Sequence, residues 1–294
     1  MSAEVVALRP GAPRRPMVRW LGSKWRLAPW VISHLPPHEL YCEPYGGSAS
    51  VLLRKARAPV EVLGDLDDEL LTLYGVVRDP VLAGRLFMLA TFTPFSDAEF
   101  RLAMRRLPAD ADPVERARRM IVRHAMQVSP DVRGETQGTG FRRYTGSARR
   151  VAAADWASFP DALAGLTARL QGVVVERASA VETLRRHDRP GMLAYVDPPY
   201  VHSTRAEARK GYAHEMSDDA HRELLDCLLG LEGMAVVSGY ASRLYDDGLA
   251  GWKRVTRVVS DHARQRREEV LWISPRAVAA GTASAKADRQ SSLF

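Results

Sequence analysis

The feature that most constrains this chain is a series of short apolar runs alternating with helical stretches. The runs read ELYCE (39–43), VEVLGD (60–65), GVVVERA (172–178), GMLAYVD (191–197) and MAVVSGY (234–240). Each has strand length. Between and around them, SKWRLAPWVISHL (23–35), ELLTLYGVV (69–77), AVETLRRH (180–187) and DDAHRELLDCLLGL (218–231) carry helical spacing. SASVLLRKA (48–56) reads as a further helix with Ser48 at its cap. Two closing runs, WKRVTRVVS (252–260) and EEVLWIS (268–274), suit an antiparallel ribbon. The alternation predicts an α/β fold built on a doubly wound sheet.

The pattern is interrupted. From about 80 to 170 the pieces VLAGRLFMLATF, DAEFRLAMRRL, PVERARRMIVRHAMQ and FPDALAGLTARLQ are helical, and no strand is evident. Between the last two lies VSPDVRGETQGTGFRRYTGSARR (128–150), which carries Arg133, Arg142, Arg143, Arg149 and Arg150. A loop of this length inside a compact domain is usually functional. The net charge of +7 points the same way, toward a polyanionic partner. The expected organisation is a flexible leader (1–16), an α/β domain in two parts (17–78 and 170–275), a helical insertion (79–169) and a tail without structure (276–294).

No apolar run is long enough to span a membrane. The cysteines, Cys42 and Cys227, sit in apolar segments and read as buried, reduced thiols. That predicts a cytoplasmic protein. No metal-ligand spacing is present, and no metal is expected.

Three predicted strands end in acids: Glu43, Asp65 and Asp197. In an open α/β sheet, ligands bind beyond the carboxyl ends of the strands. Gly46-Gly47, following Glu43, lets a ligand approach the backbone closely. An acid about 20 residues later, at the end of the next strand, suits ribose hydroxyls. A nucleoside-type cofactor is therefore expected. The glycine spacing is neither the dinucleotide fingerprint nor a P-loop. Each feature alone has an ordinary meaning: a turn, a helix cap, a strand stop. Their order on one alternating pattern is what gives them weight.

The strand LAYVD runs into Asp197-Pro198-Pro199-Tyr200. Prolines cannot donate to a sheet ladder, so the strand stops there in a stiff corner. This DPPY sequence, with EPYGGSASV (43–51) and RWLGSKWRL (19–27), resembles the signature motifs of Dam-like DNA adenine-N6 methyltransferases. MSDDAHRELLDCLLGLEGMAVVSGYASRLYDD (216–247) and RREEVLWISP (266–275) resemble that family's C-terminal half. The resemblance covers roughly 17–75 and 172–275.

The resemblance implies a Rossmann-like, seven-stranded mixed sheet of the class I methyltransferase type, with the insertion as a helical target-recognition domain. It implies S-adenosylmethionine as methyl donor. Trp20, Lys24, Glu43, Pro44, Tyr45, Gly46, Gly47, Asp65 and Asp197 would bind it, with Lys24 placed for a carboxylate and Asp65 for the ribose end. Asp197, Pro198, Pro199 and Tyr200 would form the catalytic corner, and Tyr200 would stack on an adenine flipped from double-stranded DNA. The five loop arginines would contact that DNA. A monomer is expected, and a cognate restriction enzyme is one role left open.

Three positions depart from the family pattern. Gly-Gly-Lys reads Gly22-Ser23-Lys24, Asp-x-Asn reads Asp65-Leu66-Asp67, and Ser179 stands where an acid is usual after the third strand. No adenine-ring contact is therefore assigned at Ser179. His221 reads as structural. The rival expectations are adenine methylation of RNA and a DNA-binding protein of the same fold without catalysis. A nucleotide-using oxidoreductase lacks its glycine pattern.

Overall fold

The computed structural model describes residues 13–108, 110–128, 140–143, 152–201, 215–260 and 266–291. Its strands are β1 (Leu40–Glu43), β2 (Val60–Asp65), β3 (Val174–Arg177), β4 (Met192–Val196), β5 (Met234–Tyr240), β6 (Lys253–Ser260) and β7 (Arg266–Ile273). They form one seven-stranded sheet in the order β3-β2-β1-β4-β5-β7-β6. The first five run parallel. β7 is antiparallel to both β5 and β6, so the sheet is mixed.

The central strands β1 and β4 are buried along their whole length. This explains why they read as continuous apolar runs. Their alternate residues feed two cores. Tyr41, Leu193 and Tyr195 face one side, toward helices α2 (Asp68–Arg78), α5 (Pro113–Met126) and α7 (Phe159–Leu170). Leu40, Cys42, Met192, Ala194 and Val196 face the other, toward α8 (Ala180–His187) and α9 (Asp218–Gly230). Both cysteines are free and buried.

Between β2 and β3 the described chain is helical: α2, α3 (Pro80–Phe92), α4 (Asp97–Met104), α5, α6 (Ala152–Ala157) and α7. Asp67, Asp79 and Asp112 each cap a helix by accepting backbone N–H groups, as does Ser96. The helices are tied to the sheet by a buried ion cluster. Glu61 of β2 accepts from Lys55 at 2.9 Å and from Arg169 of α7 at 2.6 Å. Arg169 also donates to the carbonyl of Leu52.

Several local expectations are corrected. The stretch 48–56 is a series of turns. Ala49 has φ of 49°, and the hydroxyls of Ser23, Ser48 and Ser50 bond one another rather than capping a helix. Only Ala28–Ile32 (α1) is helical within 23–35. Helices α6 and α10 (Arg243–Gly248) are additions to the expected elements. The tail forms helix α11 (Pro275–Ser291). Pro275 suits its first turn, the Ser274 hydroxyl accepts the Ala277 N–H at 3.3 Å, and alanines supply high propensity. Its start is anchored because Ala277 is buried in the core. Near the other terminus, Arg15 is held in place. It donates to the Asp155 carbonyl at 2.8 Å and lies over the Phe159 ring.

Candidate active site

Sequence order reverses between β1 and β4, which are adjacent although β2 and β3 intervene in the chain. Such a switch point opens a crevice beyond the strand ends. A cavity of about 300 Å³ lies there. Glu43, Asp65 and Asp197 all line it, as do Pro44, Tyr45, Gly46 and Gly47. The parallel register of β2, β1 and β4 thus brings the three strand-end acids to one place.

Acidic side chains outnumber basic ones on the wall. Asp67, Glu215 and Glu223 join the three acids, and Lys24 is the only basic residue lining the cavity among the described residues. Glu43 is fully buried and its Oε2 accepts the Leu52 N–H at 3.0 Å. Burial pushes its carboxyl up to about 8, outweighing that hydrogen bond, and the nearby Asp197 adds to the rise.

The glycine turn is held by Asp65. One of its oxygens accepts the Gly47 N–H at 2.8 Å, and the other accepts the Asp67 N–H at 2.9 Å. The Tyr74 hydroxyl donates to the Gly47 carbonyl. Gly47 has φ of +46°, and an added Cβ would stand 3.2 Å from the Trp20 ring. Glycine is therefore required twice over, by conformation and by space. Trp20 is fixed from behind by His124 of α5, with ring centroids 5.3 Å apart. Burial pushes His124 down to about 4, so it is neutral there.

The corner after β4 is a network around one amine. Lys24 Nζ donates to Asp197 Oδ1 at 2.7 Å and Oδ2 at 2.9 Å, and to the Tyr200 hydroxyl at 2.8 Å. It also pairs with Glu269 of β7 at 3.4 Å. Burial opposes its charge, but Asp197 and Glu269 outweigh burial and raise Lys24 well above the ordinary lysine value. From the other side, Ser238 of β5 donates to Asp197 Oδ1 at 2.8 Å. Because its proton is used there, the Ser238 oxygen accepts from the Tyr195 hydroxyl, 2.8 Å away. Asp197 is thus clamped from β5 and from the N-terminal segment.

One comparison with known proteins bears on the family. Residues 20–236 match the D12 class N6 adenine-specific DNA methyltransferases. The chain belongs to that family. It is therefore an adenine-specific DNA methyltransferase, and the seven-stranded mixed sheet is the scaffold of its class I fold. Among curated proteins no match is found. Among solved structures, the precorrin 8W decarboxylase of Methanobacterium thermoautotrophicum is similar at 8% identity. Its TM-score is 0.35 over 85% of this chain and 89% of that one, a likeness that carries no argument.

In this methyltransferase Trp20, Lys24, Pro199 and the three acids surround a common cavity. The expected place of Lys24 is at a cofactor carboxylate, yet its amine is engaged by the chain's own Asp197. The expected role of Tyr200 is a platform for a base. One ring face already stacks on Tyr240, with centroids 4.2 Å apart. Arg142 and Arg143 follow Phe141, which bridges to Gln127 at the end of α5. Arg133, Arg149 and Arg150 lie outside the described residues. His221 is fully buried against the Tyr245 hydroxyl, 2.9 Å away. Ser179 caps α8 in a reciprocal pair with Glu182. Ser238, Tyr240 and Glu269 are site residues that sequence reasoning misses. In the sequence Ser238 and Tyr240 stand out only as polar or aromatic residues in an apolar strand, while Glu269 is hidden in the charged run Arg266-Arg267-Glu268-Glu269.

Proposed function

We propose that this methyltransferase transfers the methyl group of S-adenosylmethionine to N6 of an adenine flipped out of double-stranded DNA, at a specific sequence. The observation that carries the reading is Asp197, clamped at the end of β4 where the acid-lined cavity meets the DPPY corner.

The residues present fit the donor. An acidic wall suits a ligand bearing both a sulfonium and an ammonium. The Asp65 oxygens hold the glycine turn, and each can accept more than one hydrogen bond, which suits ribose hydroxyls. Leu66, Ala178 and Val181 give an apolar strip for a purine ring. Gly47 leaves room where a Cβ would meet Trp20. When bound, S-adenosylmethionine supplies an electrophilic methyl group carried on a positively charged sulfur.

The protein's own task is to make a poor nucleophile attack. The N6 lone pair of adenine is delocalised into the ring. A carboxylate accepting one N6 proton, with a carbonyl accepting the other, favours a pyramidal nitrogen and stabilises the charge that develops on it. Asp197 supplies the first acceptor and the Pro198 carbonyl the second. The flanking prolines hold that carbonyl without competing N–H groups. Asp197 then takes the departing N6 proton.

A base inside a duplex cannot reach this corner, and flipping it out takes a few kcal/mol. The inserted helices between β2 and β3 serve as the target-recognition part, with Arg142 and Arg143 gripping phosphates. Competition between duplex DNA and RNA of matched sequence for methyl transfer tests the reading. Preferential labelling of duplex DNA supports it, and preferential labelling of RNA would replace it.

A further inference from the structure

Glu269 lies beyond residue 236, where the family match ends, yet it belongs to the corner's network. Its side chain is almost fully buried on β7. The Tyr200 hydroxyl donates to its carboxylate with both oxygens 3.3 Å away, and Lys24 Nζ stands 3.4 Å off. In sheet register it is flanked by Tyr240 of β5 and Arg257 of β6. From the end of β4 it faces Asp197, and from the N-terminal segment Lys24.

Asp197 has a conflict of duties. In the structure its two oxygens hold Lys24 and Ser238, but methyl transfer needs the same carboxylate for the N6 amine. When Asp197 turns to the substrate, Lys24 needs another counter-charge, because a buried ammonium left unpaired is strongly disfavoured. Among the described residues, Glu269 is the other carboxylate that Lys24 pairs with. It is now the longer of the two contacts, so a small movement of Lys24 converts one pairing into the other.

We propose that Glu269 is a positioning residue of the transfer site: it takes over Lys24 and fixes Tyr200 while Asp197 accepts the adenine amine. The proposal rests on the methyltransferase reading above. An amide at 269 would leave Lys24 with Asp197 as its one charged partner. That would tighten the pair and weaken Asp197 as an acceptor. Burial raises the Glu269 carboxyl while Lys24 lowers it, so activity should fall in acid as Glu269 is neutralised.

The test compares full-length wild type, Glu269→Gln and Glu269→Asp in methyl transfer to duplex DNA, with S-adenosylhomocysteine binding measured by calorimetry. Glu269→Gln should lose about a hundredfold in kcat, the scale of a misplaced catalytic group. The KM for DNA and S-adenosylhomocysteine affinity should be nearly unchanged. Glu269→Asp should recover much of the loss, and the acid limb of the kcat profile should move to lower pH in Glu269→Gln. A second measurement needs no ligand. Lys24→Met should lower the melting temperature, and adding Glu269→Gln should restore part of it. An active wild type with an equally active Glu269→Gln, or strictly additive melting shifts, overturns the proposal. A wild type that methylates no nucleic acid fails the methyltransferase reading itself, while the melting cycle still reports on the Lys24–Glu269 coupling.

Discussion

The ammonium of Lys24 lies 2.7 Å from Asp197 Oδ1, so the carboxylate that ends β4 is held by its own chain. The pair joins two segments far apart in sequence, and both halves are buried or partly buried. Such an arrangement fixes the orientation of Asp197 before any substrate arrives. In the proposed reaction this carboxylate is released from Lys24 to accept the adenine amine.

Asp197→Ala is expected to reduce methyl transfer by at least about a thousandfold, the scale of losing a preorganised polar group in a closed site. The variant should stay folded, because Lys24 keeps Glu269 and Tyr200 as partners. Circular dichroism with a radiolabel assay checks both halves. Activity near wild type would remove Asp197 from the chemistry.

Asp65→Ala deletes the acceptor for the Gly47 and Asp67 N–H groups together with the proposed partner of a ribose. Both donors are partly buried, and a fully buried unpaired donor costs about 1–3 kcal/mol, so each loss here is at most of that order. Calorimetry should show S-adenosylmethionine affinity falling more than about tenfold, since about 1.4 kcal/mol is a factor of ten. Unchanged affinity would exclude this turn from the cofactor site.

Gly47→Ala combines a left-handed backbone with a Cβ 3.2 Å from Trp20. Conformation alone disfavours it by roughly 1–2 kcal/mol. The melting temperature should drop and cofactor binding should weaken, because Trp20 cannot retreat through His124.

Glu43 gives a pH dependence of stability with a defined sign. Its folded value of about 8 lies above the ordinary carboxylate value. The folded protein therefore holds a proton that the unfolded chain has released. The resulting stability is fully present below the unfolded value and is lost as pH rises through about 8. Glu43→Gln cannot ionise. Chemical denaturation at about pH 5.5 and about pH 7.5 should show the wild type losing stability relative to this variant, by on the order of a few kcal/mol. A parallel pH response in the two proteins would contradict the assignment.

Neutralising Arg142 and Arg143 should weaken DNA binding at every sequence. It should also reduce the slope of log K against log salt by about 1 for each phosphate no longer neutralised. Binding titrations over a salt series measure this directly. An unaltered slope would take these two arginines out of the interface.

The sheet and its acids are legible in the sequence because a parallel strand buried on both faces writes itself as an unbroken apolar run. The residue that ends the run then lines the cavity beyond the strand ends. Glu43, Asp65 and Asp197 all follow that rule. Glu269 does not, since it sits within a strand and reaches Lys24 only through the placement of β7 beside β5. The turns at 48–56 look helical in the sequence because Ser48 sits at a cap position before the apolar run Val51-Leu52-Leu53. Their true conformation is set by contacts from Glu43 and Arg169 that lie elsewhere in the chain. Helix α11 escapes the sequence for a related reason. An alanine-rich tail has the propensity for a helix, and the Ser274 cap and buried Ala277 supply what propensity alone does not.

The most direct test of the account is transfer of radiolabelled methyl from S-adenosylmethionine to unmethylated duplex DNA, followed by digestion to nucleosides. Label is expected in N6-methyladenine alone, confined to one sequence context and absent with Asp197→Ala. Label in a cytosine product, or undiminished label with Asp197→Ala, would contradict it.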